Sequence, residues 1–288
     1  MKLGFFLGLF IAMPLWACDK QAKDPSRIAV AGGSITEILY FLEEGSRIVA
    51  VDITSNFPPA ATLLPSIGYV RNLSAEGTLS LNPTLVLGED DMGPQEILDQ
   101  LTATSIEVAR IPENHSRGGI IEKIFCVGTT IGLDESKLNQ FVEPLQRKAQ
   151  TLSSIVKDNA PKVALLLTIR DGVPTAAGAG TSGHGVLEMS GAKNVFEVFS
   201  GWKPISLESM ANSNPEFIVM PERGVQMAGG MDAVIDHPAV KITLAGQKGN
   251  ILAVDGMSLL GFGPRTLDTA VMIAQTIGMM KKGSLESN

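Results

Sequence analysis

The chain has 288 residues, of which 44% are hydrophobic and 18% are charged, and this composition excludes a disordered or low-complexity polymer. Its length allows one large domain or two ordinary ones. The formal net charge is −7, which disfavours a general nucleic-acid binder because a phosphate-binding surface normally needs a basic excess. Beyond the N-terminal segment, no apolar run of about 18 residues predicts a membrane span.

The N-terminal segment has the composition of a secretion signal. Lys2 is followed by an apolar stretch that ends at Ala17, and Cys18 and polar residues come next. The four residues that end in Cys18 read Leu-Trp-Ala-Cys and resemble a bacterial lipobox, although Trp16 is bulky where small residues are usual. We therefore predict a leader over residues 1–17 and a lipid anchor on Cys18. The alternative is ordinary cleavage nearby, which leaves a soluble protein.

The chain contains only two cysteines. If Cys18 carries lipid, Cys126 has no disulfide partner. Because Cys126 lies in an apolar pattern with helical spacing, we interpret it as a buried apolar residue.

The mature chain alternates β-rich runs with helical patterns. The first pair is a strand at residues 27–31 and a helix at 34–42, in which Ser34 and Glu37 form a capping box. Alternation of this kind predicts parallel α/β sheets. Further strands are predicted at residues 48–52, 85–88, 106–111, 163–169, 217–220 and 251–254, and further helices at 94–102, 185–190, 231–235 and 265–280.

Residues 116–159 show helical spacing throughout, with no strand signal, and predict a long helix that joins two α/β halves. Pro144 is awkward inside one unbroken helix, so we expect a kink or the start of a second helix near it. The predicted organisation is an N-terminal lobe (18–115), a helical connector (116–159) and a C-terminal lobe (160–288).

The two halves carry a short internal repeat. Residues 76–87 align without gaps with residues 208–219, so that Glu76 matches Glu208 and an Asn-Pro pair leads into a buried strand in each half. Proline suits the entry to a strand, where no ladder donor is needed. Charge at a helix N-terminus is sufficient to explain the two glutamates structurally.

Three motifs point to one family. They are Gly-Gly-Ser-Ile-Thr-Glu-Ile at residues 32–38, Gly-Tyr-Val-Arg-Asn-Leu-Ser-Ala-Glu-Gly at 68–77 and Leu-Gly-Phe-Gly-Pro-Arg-Thr at 260–266. Together they resemble the haemin-binding members of the ABC-importer substrate-binding proteins that serve haem, siderophores and cobalamin. The resemblance covers nearly all of residues 27–280. It implies two α/β lobes joined by a rigid helix, with the ligand cleft between the lobes.

Within the second motif, Tyr69 has the chemistry that this resemblance implies. A phenolate oxygen is a hard anionic donor suited to ferric haem iron. Because an ordinary tyrosine has a pKa of about 10, the phenolate needs a nearby cation or the ferric ion itself at neutral pH. The resemblance implies that Arg223 faces Tyr69 from the opposite lobe and that Arg71 and Arg265 bind the haem propionates. Tyr40, the only other tyrosine, is interpreted as a core residue.

The sequence defines a second iron ligand less well. Arg170 stands where some relatives carry a histidine, and we assign it to the haem pocket. His184 follows a glycine-rich segment and is the candidate second ligand, with a surface or capping role as the alternative. His115 and His237 are expected in surface turns, because three scattered histidines lack metal-ligand spacing.

The resemblance implies a monomeric haem carrier, lipid-anchored in the periplasm or on the outer face of a single membrane. It would deliver haem to a dimeric ABC permease, with Glu76 and Glu208 docking onto permease arginines. A ferric-siderophore or cobalamin carrier of the same architecture is the first alternative, and a hydrolase or other α/β enzyme is the second. No Gly-x-Ser-x-Gly, His-Glu-x-x-His or Cys-x-x-Cys pattern supports catalysis. Asp90 and Asp91 are interpreted as solvated loop charges.

Overall fold

The computed structural model describes residues 18, 20–153 and 160–286, and the predicted leader lies outside these residues. Four strands of the N-terminal lobe form a parallel sheet and two form a small antiparallel hairpin. The strands are β1 (Ile28–Ala31), β2 (Ile48–Val51), β3 (Gly68–Tyr69), β4 (Asn72–Leu73), β5 (Leu85–Glu89) and β6 (Glu107–Ile111). The sheet order is β2-β1-β5-β6, and β3 pairs with β4. The helices of this lobe are α1 (Gly33–Phe41), α2 (Ala75–Leu79) and α3 (Gln95–Ala103).

Strand β1 shows why the strands of this sheet are uninterrupted apolar segments in the sequence. Ile28 and Val30 belong to the hydrophobic cluster that includes α1, whereas Ala29 and Ala31 belong to the cluster that includes α3. Both faces of the parallel sheet are therefore covered by helices, and both sets of side chains must be apolar. The strands predicted in this lobe are confirmed.

The start of α1 differs from the predicted capping box. The helix begins at Gly33, and no side chain caps it. The Ser34 hydroxyl instead donates to Glu89 Oε1 at 2.5 Å. Glu37 accepts from Arg265 Nε at 2.8 Å. Both side chains make tertiary contacts, which a local pattern does not reveal, so the capping-box prediction is wrong.

The connector contains two helices, α4 (Arg117–Thr130) and α5 (Glu135–Ser153). The break lies at Gly132, whose φ of 81° is in the left-handed region that favours glycine at a helix end. We expected a kink or the start of the second helix near Pro144, but Pro144 lies inside α5 and the second helix begins earlier, at Glu135. Lys137 at the start of α5 bonds to Glu44 of the N-terminal lobe at 2.8 Å, and Lys148 further along it pairs with Asp268. Helix α5 therefore leads from one lobe to the other.

The C-terminal lobe has a mixed six-stranded sheet in the order β10-β8-β7-β11-β12, with β9 also paired to β7. Its strands are β7 (Lys162–Arg170), β8 (Val173–Ala177), β9 (Lys193–Asn194), β10 (Trp202–Pro204), β11 (Phe217–Pro221) and β12 (Ile251–Val254). The antiparallel strands β8 and β10 were not predicted. Asp171 and Gly172 take positive φ values of 51° and 74°, which produces the tight β7-β8 hairpin, so this part of the sheet is not parallel.

The helices of the C-terminal lobe are mostly short. They are α6 (Ser182–Met189), α7 (Leu207–Ser213), α8 (Glu222–Met227), α9 (Met231–Asp236), α10 (Pro238–Lys241), α11 (Leu244–Lys248), α12 (Gly256–Leu260) and α13 (Pro264–Glu286). Within the described part of the chain, no helix combines the length and apolar character that a membrane crossing needs. The predicted fold class, two α/β lobes joined by a connecting helix, is confirmed.

The internal repeat has a common structure in the two lobes. Ser74 caps α2 by accepting from Gly77 N at 3.0 Å, and Ser206 caps α7 by accepting from Ser209 N at 3.1 Å. The asparagines that follow these helices, at positions 82 and 214, have φ values of 47° and 38°. In each lobe a left-handed asparagine therefore stands between the helix and the proline that leads the chain into β5 or β11. The repeat is a duplicated helix-to-strand unit.

Cys126 is buried in the core, as predicted, but it is not the unpaired residue expected if Cys18 carries lipid. Cys18 and Cys126 form a disulfide with their Cα atoms 5.0 Å apart, across a sequence separation of 108. The bond depends on a long-range approach of the N-terminal segment to α4, and no local pattern reports such an approach. The predicted acylation of Cys18 needs the same sulfur atom.

Candidate functional site

A cavity of about 710 Å³ lies between the two lobes. Its volume is within the usual range of small-molecule sites. The N-terminal lobe contributes mostly polar side chains, namely Thr54, Tyr69, Arg71, Glu89, Asp90, Asp91, Glu113 and His115. The C-terminal lobe contributes glycines, hydroxyls and the apolar side chains Leu167, Trp202, Met257 and Leu260.

Tyr69 reaches this cavity from the β3-β4 hairpin. Tyr69 pairs with Asn72 across the hairpin, so Val70 and Arg71 form its two-residue turn. The buried Asp52 carboxylate accepts from Val70 N at 3.2 Å and from Gly32 N at 3.0 Å. Asp52 therefore ties the tyrosine hairpin to the turn before α1. Sequence reasoning missed this residue, because its partners are distant in the chain.

The phenol oxygen of Tyr69 accepts a hydrogen bond from Arg71 Nη1, and Arg71 Nη2 pairs with Asp91. Burial works against the charge of Arg71, but the attraction of Asp91 and Tyr69 together raises the guanidinium pKa above its usual value. The positively charged guanidinium of Arg71 is thus hydrogen-bonded to the phenol oxygen of Tyr69. The predicted partner was Arg223, whereas the arginine that contacts Tyr69 in the structure comes from the same hairpin.

Two buried carboxyl groups lie deeper in the N-terminal side of the cavity. Burial raises the pKa of Glu89, although Lys123 and the hydrogen bond from Ser34 oppose this effect. Burial also raises the pKa of Glu113, which accepts from Lys123 Nζ at 2.8 Å. Lys123 is 2% exposed and also donates to the Gly261 carbonyl at 3.3 Å. This lysine therefore links the connector to both lobes.

His115 lies at the same cavity, so its predicted place in a surface turn is wrong. Its Nδ1 is 3.3 Å from the Gly180 carbonyl oxygen of the opposite lobe. Its ring packs against Phe262 with a centroid distance of 4.9 Å. Burial lowers the pKa of His115 below its usual value, so the neutral imidazole is favoured. The contacts come from the other lobe, and the local sequence around His115 gave no signal of them.

Four other residues predicted for the haem pocket do not belong to the described lining of the cavity. Arg170 is exposed at the end of β7, and Arg223 is exposed on α8. The His184 ring lies 3.2 Å from the Asn194 amide nitrogen and 3.5 Å from Glu188. The Arg265 guanidinium is already bound by acidic partners. These partners are Glu37 at 2.8 Å and Asp255 at 3.0 Å.

The glutamates of the repeat are placed alike. Glu76 lies in the first turn of α2 and Glu208 in the first turn of α7, and both are exposed. One glutamate therefore projects from each lobe at equivalent positions. Neither lines the cavity among the described residues, so their place differs from that of the ligand-facing side chains.

The cavity as a whole is acidic. Glu89, Asp90, Asp91 and Glu113 line it, and Arg71 is the one permanently charged cation in its described lining. Asp90 and Asp91 are exposed in the turn after β5, as interpreted from the sequence, and they also belong to the cavity wall. Among the described residues, no cluster of three or more histidine, cysteine or carboxylate side chains is placed to hold a metal ion.

Two α/β lobes that face each other across a ligand-sized cavity and are joined by a helix define a two-lobe substrate-binding protein. The chain belongs to the periplasmic binding protein family (Peripla_BP_2), whose family model matches residues 28–256. This membership makes the chain a substrate-binding protein rather than an enzyme and supports an extracytoplasmic location.

Individual relatives differ in their ligands. The chain is 31% identical to the periplasmic heme-binding protein RhuT of Roseiflexus sp. RS-1, with a TM-score of 0.82 and coverage of 87% of this chain and 97% of that one. It is 25% identical over 227 residues to the vitamin B12-binding protein of Yersinia pseudotuberculosis, covering 76% of this chain and 79% of that protein. It is 27% identical over 206 residues to the ABC transporter substrate-binding lipoprotein YvrC of Bacillus subtilis, covering 68% of this chain and 64% of that protein.

Proposed function

We propose that this protein binds haem outside the cytoplasm and delivers it to an ABC permease for iron acquisition. The observation that carries the proposal is Tyr69 at the cavity with Arg71 on its phenol oxygen. Haem is the transported ligand, and the protein performs no chemistry on it. The likeness to RhuT, named a heme-binding protein, supports this choice.

The residues present fit ferric haem in three respects. The Tyr69 oxygen lies at the cavity and accepts from the Arg71 guanidinium, and phenolate is a suitable axial ligand for ferric iron. The apolar side chains Leu167, Trp202 and Leu260 provide a surface for a porphyrin face. Arg71 is also in reach of a propionate if the ligand displaces Asp91.

For the second side of the iron, His115 is a better candidate than His184, because His115 lines the cavity. Its pKa is lowered by burial, so its neutral ring has a free electron pair for iron over a wider pH range. Replacement of His115 by Gln should change the visible spectrum of the haemin complex. Replacement of His184 by Gln should leave it as in the wild type.

Parallel titrations with three ligands test which of them the protein binds most tightly. The purified protein is titrated with haemin, cyanocobalamin and a ferric siderophore, and binding is followed by quenching of Trp202 and by absorbance. Haemin should bind most tightly, and Tyr69→Phe should lower its affinity by a factor of at least ten. Tyr40→Phe is the matched control, because Tyr40 lies on α1 and outside the described cavity lining. Tighter binding of cyanocobalamin than of haemin overturns the proposal.

Cobalamin is the second candidate, and the charge of the cavity favours it. Haem carries two anionic propionates, whereas the described lining has four acidic side chains and one arginine that already has an acidic partner. Burial raises the pKa of two of these acids, Glu89 and Glu113, so the negative charge comes mainly from Asp90 and Asp91. The likeness to a vitamin B12-binding protein points the same way. The tyrosine and arginine pair has no evident use for a corrinoid, and it decides our choice of haem.

Glu76 and Glu208 are proposed to dock a monomer of the protein onto the two halves of the permease. Exposed ion pairs contribute about 0–1 kcal/mol each, so these glutamates act mainly in orientation and encounter. The double replacement Glu76→Gln and Glu208→Gln should lower ATPase stimulation of the reconstituted permease while haemin affinity stays unchanged.

Glu96 and Glu222 provide the control for this experiment, because they are also exposed glutamates in first helical turns, one in each lobe. Their double replacement by Gln should leave stimulation unchanged. Equal losses in both double variants would mean that overall charge, not docking, is responsible.

The predicted lipid anchor on Cys18 would keep the protein at a membrane, and YvrC, named a lipoprotein, supports it. The disulfide with Cys126 supports a soluble extracytoplasmic protein instead, because it uses the same sulfur atom. Only one of these two modifications can be present on a given molecule.

A further inference from the structure

The N-terminal segment is attached to the end of α4 and to β6 by several contacts besides the disulfide. Ala22 is 4% exposed, and its backbone N–H donates to the Thr130 carbonyl at 2.8 Å. The side chain of Gln21 fills the space beside Gly132, where an added Cβ would lie 2.3 Å from Gln21 Nε2. Lys23 N donates to Glu107 Oε2 at 2.8 Å. The segment therefore belongs to the folded body from residue 20 onward.

These contacts bring Cys18 to a buried partner. Cys126 is 3% exposed and lies in the main hydrophobic cluster, and Cys18 packs against the same cluster. A pair of thiols in this position is protected from other reagents but adjacent to each other. In an extracytoplasmic compartment such a pair is expected to be oxidised.

An acylated Cys18 would have to leave this position. The sulfur would carry a thioether in place of the disulfide, and the acyl chains would have to enter a bilayer. Ala22, which is docked, follows Cys18 by only four positions, and four fully extended residues span roughly 14 Å. The connector would then be held against the membrane surface, and Cys126 would lose its partner.

We propose that Cys18 of the mature protein is a structural disulfide partner of Cys126 and not an acylation site. Formation of the disulfide removes one proton and one electron from each of the two thiols and joins the two sulfur atoms. The two electrons pass to the disulfide of an extracytoplasmic thiol oxidase, which becomes a dithiol. The bond fastens the start of the N-terminal lobe to the connector and leaves a carrier that is free to diffuse. The inference does not depend on the identity of the ligand.

The test uses the full chain with its own leader, expressed in a Gram-negative host that acylates lipoproteins. Intact mass should give the unmodified, oxidised mature chain, and the protein should stay in the aqueous phase on Triton X-114 partition. Iodoacetamide under denaturing conditions should label neither cysteine before reduction and both after it. A diacylglyceryl mass, or labelling of either cysteine without reduction, would overturn the proposal.

The variant Cys126→Ser provides the second measurement. Removal of the partner should leave Cys18 as a thiol that iodoacetamide labels without reduction. The labelling is carried out in denaturant, so the result does not require that the variant folds. A Cys18 that stays blocked in this variant, with the mass of an acylated chain, would also contradict the proposal.

Discussion

The two lobes line the cavity with different chemistry. Every charged side chain in the described lining comes from the N-terminal lobe, while the C-terminal lobe supplies glycines, hydroxyls and apolar groups. The internal repeat makes the contrast sharper. Extended without gaps, it pairs Tyr69 with Gly201 and Val70 with Trp202, and all four residues line the cavity.

The same position of a duplicated unit therefore faces the cavity from both lobes, but only the N-terminal copy places a side-chain oxygen there. In the N-terminal lobe the segment before the capped helix turns at Val70 and Arg71 and presents a phenol. In the C-terminal lobe the equivalent segment is β10, which presents an indole. We infer that the N-terminal lobe sets ligation and charge and that the C-terminal lobe covers the apolar face.

The largest effect among the flanking residues should follow replacement of Arg71. Arg71→Met removes the cation from the Tyr69 oxygen, and a hydrogen bond to a charged group contributes about 1.5–3 kcal/mol. Haemin affinity should fall by about 10–100-fold in an absorbance titration. Arg223→Met is the comparison from the opposite lobe, and we expect less than about a threefold change. A larger loss of haemin affinity in Arg223→Met than in Arg71→Met would show that the cation acting on Tyr69 comes from the C-terminal lobe, contrary to our assignment.

A smaller loss should follow from Trp202→Ala. The indole is part of the apolar wall of the C-terminal lobe, and its removal exposes a porphyrin face to water. Burial of a large apolar side chain is worth about 1.5–3 kcal/mol in full, and Trp202 is only partly buried, so a loss of about 5–10-fold is expected. The iron spectrum should stay as in the wild type, and Val198→Ala, at an 85% exposed position, is the control. A changed charge-transfer band in Trp202→Ala would show that this lobe also affects ligation.

The pH dependence of stability should reflect the buried acids of the N-terminal lobe, among them Glu89. Because burial raises the pKa of Glu89, the folded protein holds this proton more tightly than the unfolded chain. The stability contributed by the protonated form is present at low pH and is lost as the pH rises through the raised pKa. Glu89→Gln should therefore gain stability relative to the wild type between pH 4 and pH 8 in urea unfolding. An unchanged difference over this range would mean that Glu89 does not titrate with folding.

The smallest effect should be on the arrangement of the lobes. They are joined by the Lys123 bond to Gly261, by the ion pair of Glu37 with Arg265 and by the contact of His115 with Gly180. The radius of gyration from small-angle scattering should be the same within error with and without haemin. A clear contraction on binding would show that these links open in the free protein.

The fold could be predicted well where the signal was local. Apolar runs located β1, β2, β5, β7, β11 and β12, and the Asn-Pro repeat located the duplicated unit. The position of Tyr69 at the cavity could be expected from the sequence because its motif is contiguous. The Arg71 contact was missed in favour of Arg223, since sequence does not show which guanidinium folds back onto the phenol.

Other features depend on contacts between distant segments. Asp52 holds the tyrosine hairpin through backbone donors from two turns. His115 meets Gly180 of the other lobe, and Cys18 meets Cys126. No spacing rule connects these pairs, because the approach of the partners is set by the packing of whole elements.

The central claim is that Tyr69 of the N-terminal lobe ligates ferric iron as a phenolate. The most direct measurement is resonance Raman spectroscopy of the haemin complex, with excitation in the phenolate-to-iron charge-transfer band. The wild type and Tyr40→Phe should show tyrosinate modes coupled to iron, and Tyr69→Phe should lose them. Tyrosinate modes that persist in Tyr69→Phe, or that are absent from the wild type, would contradict the account.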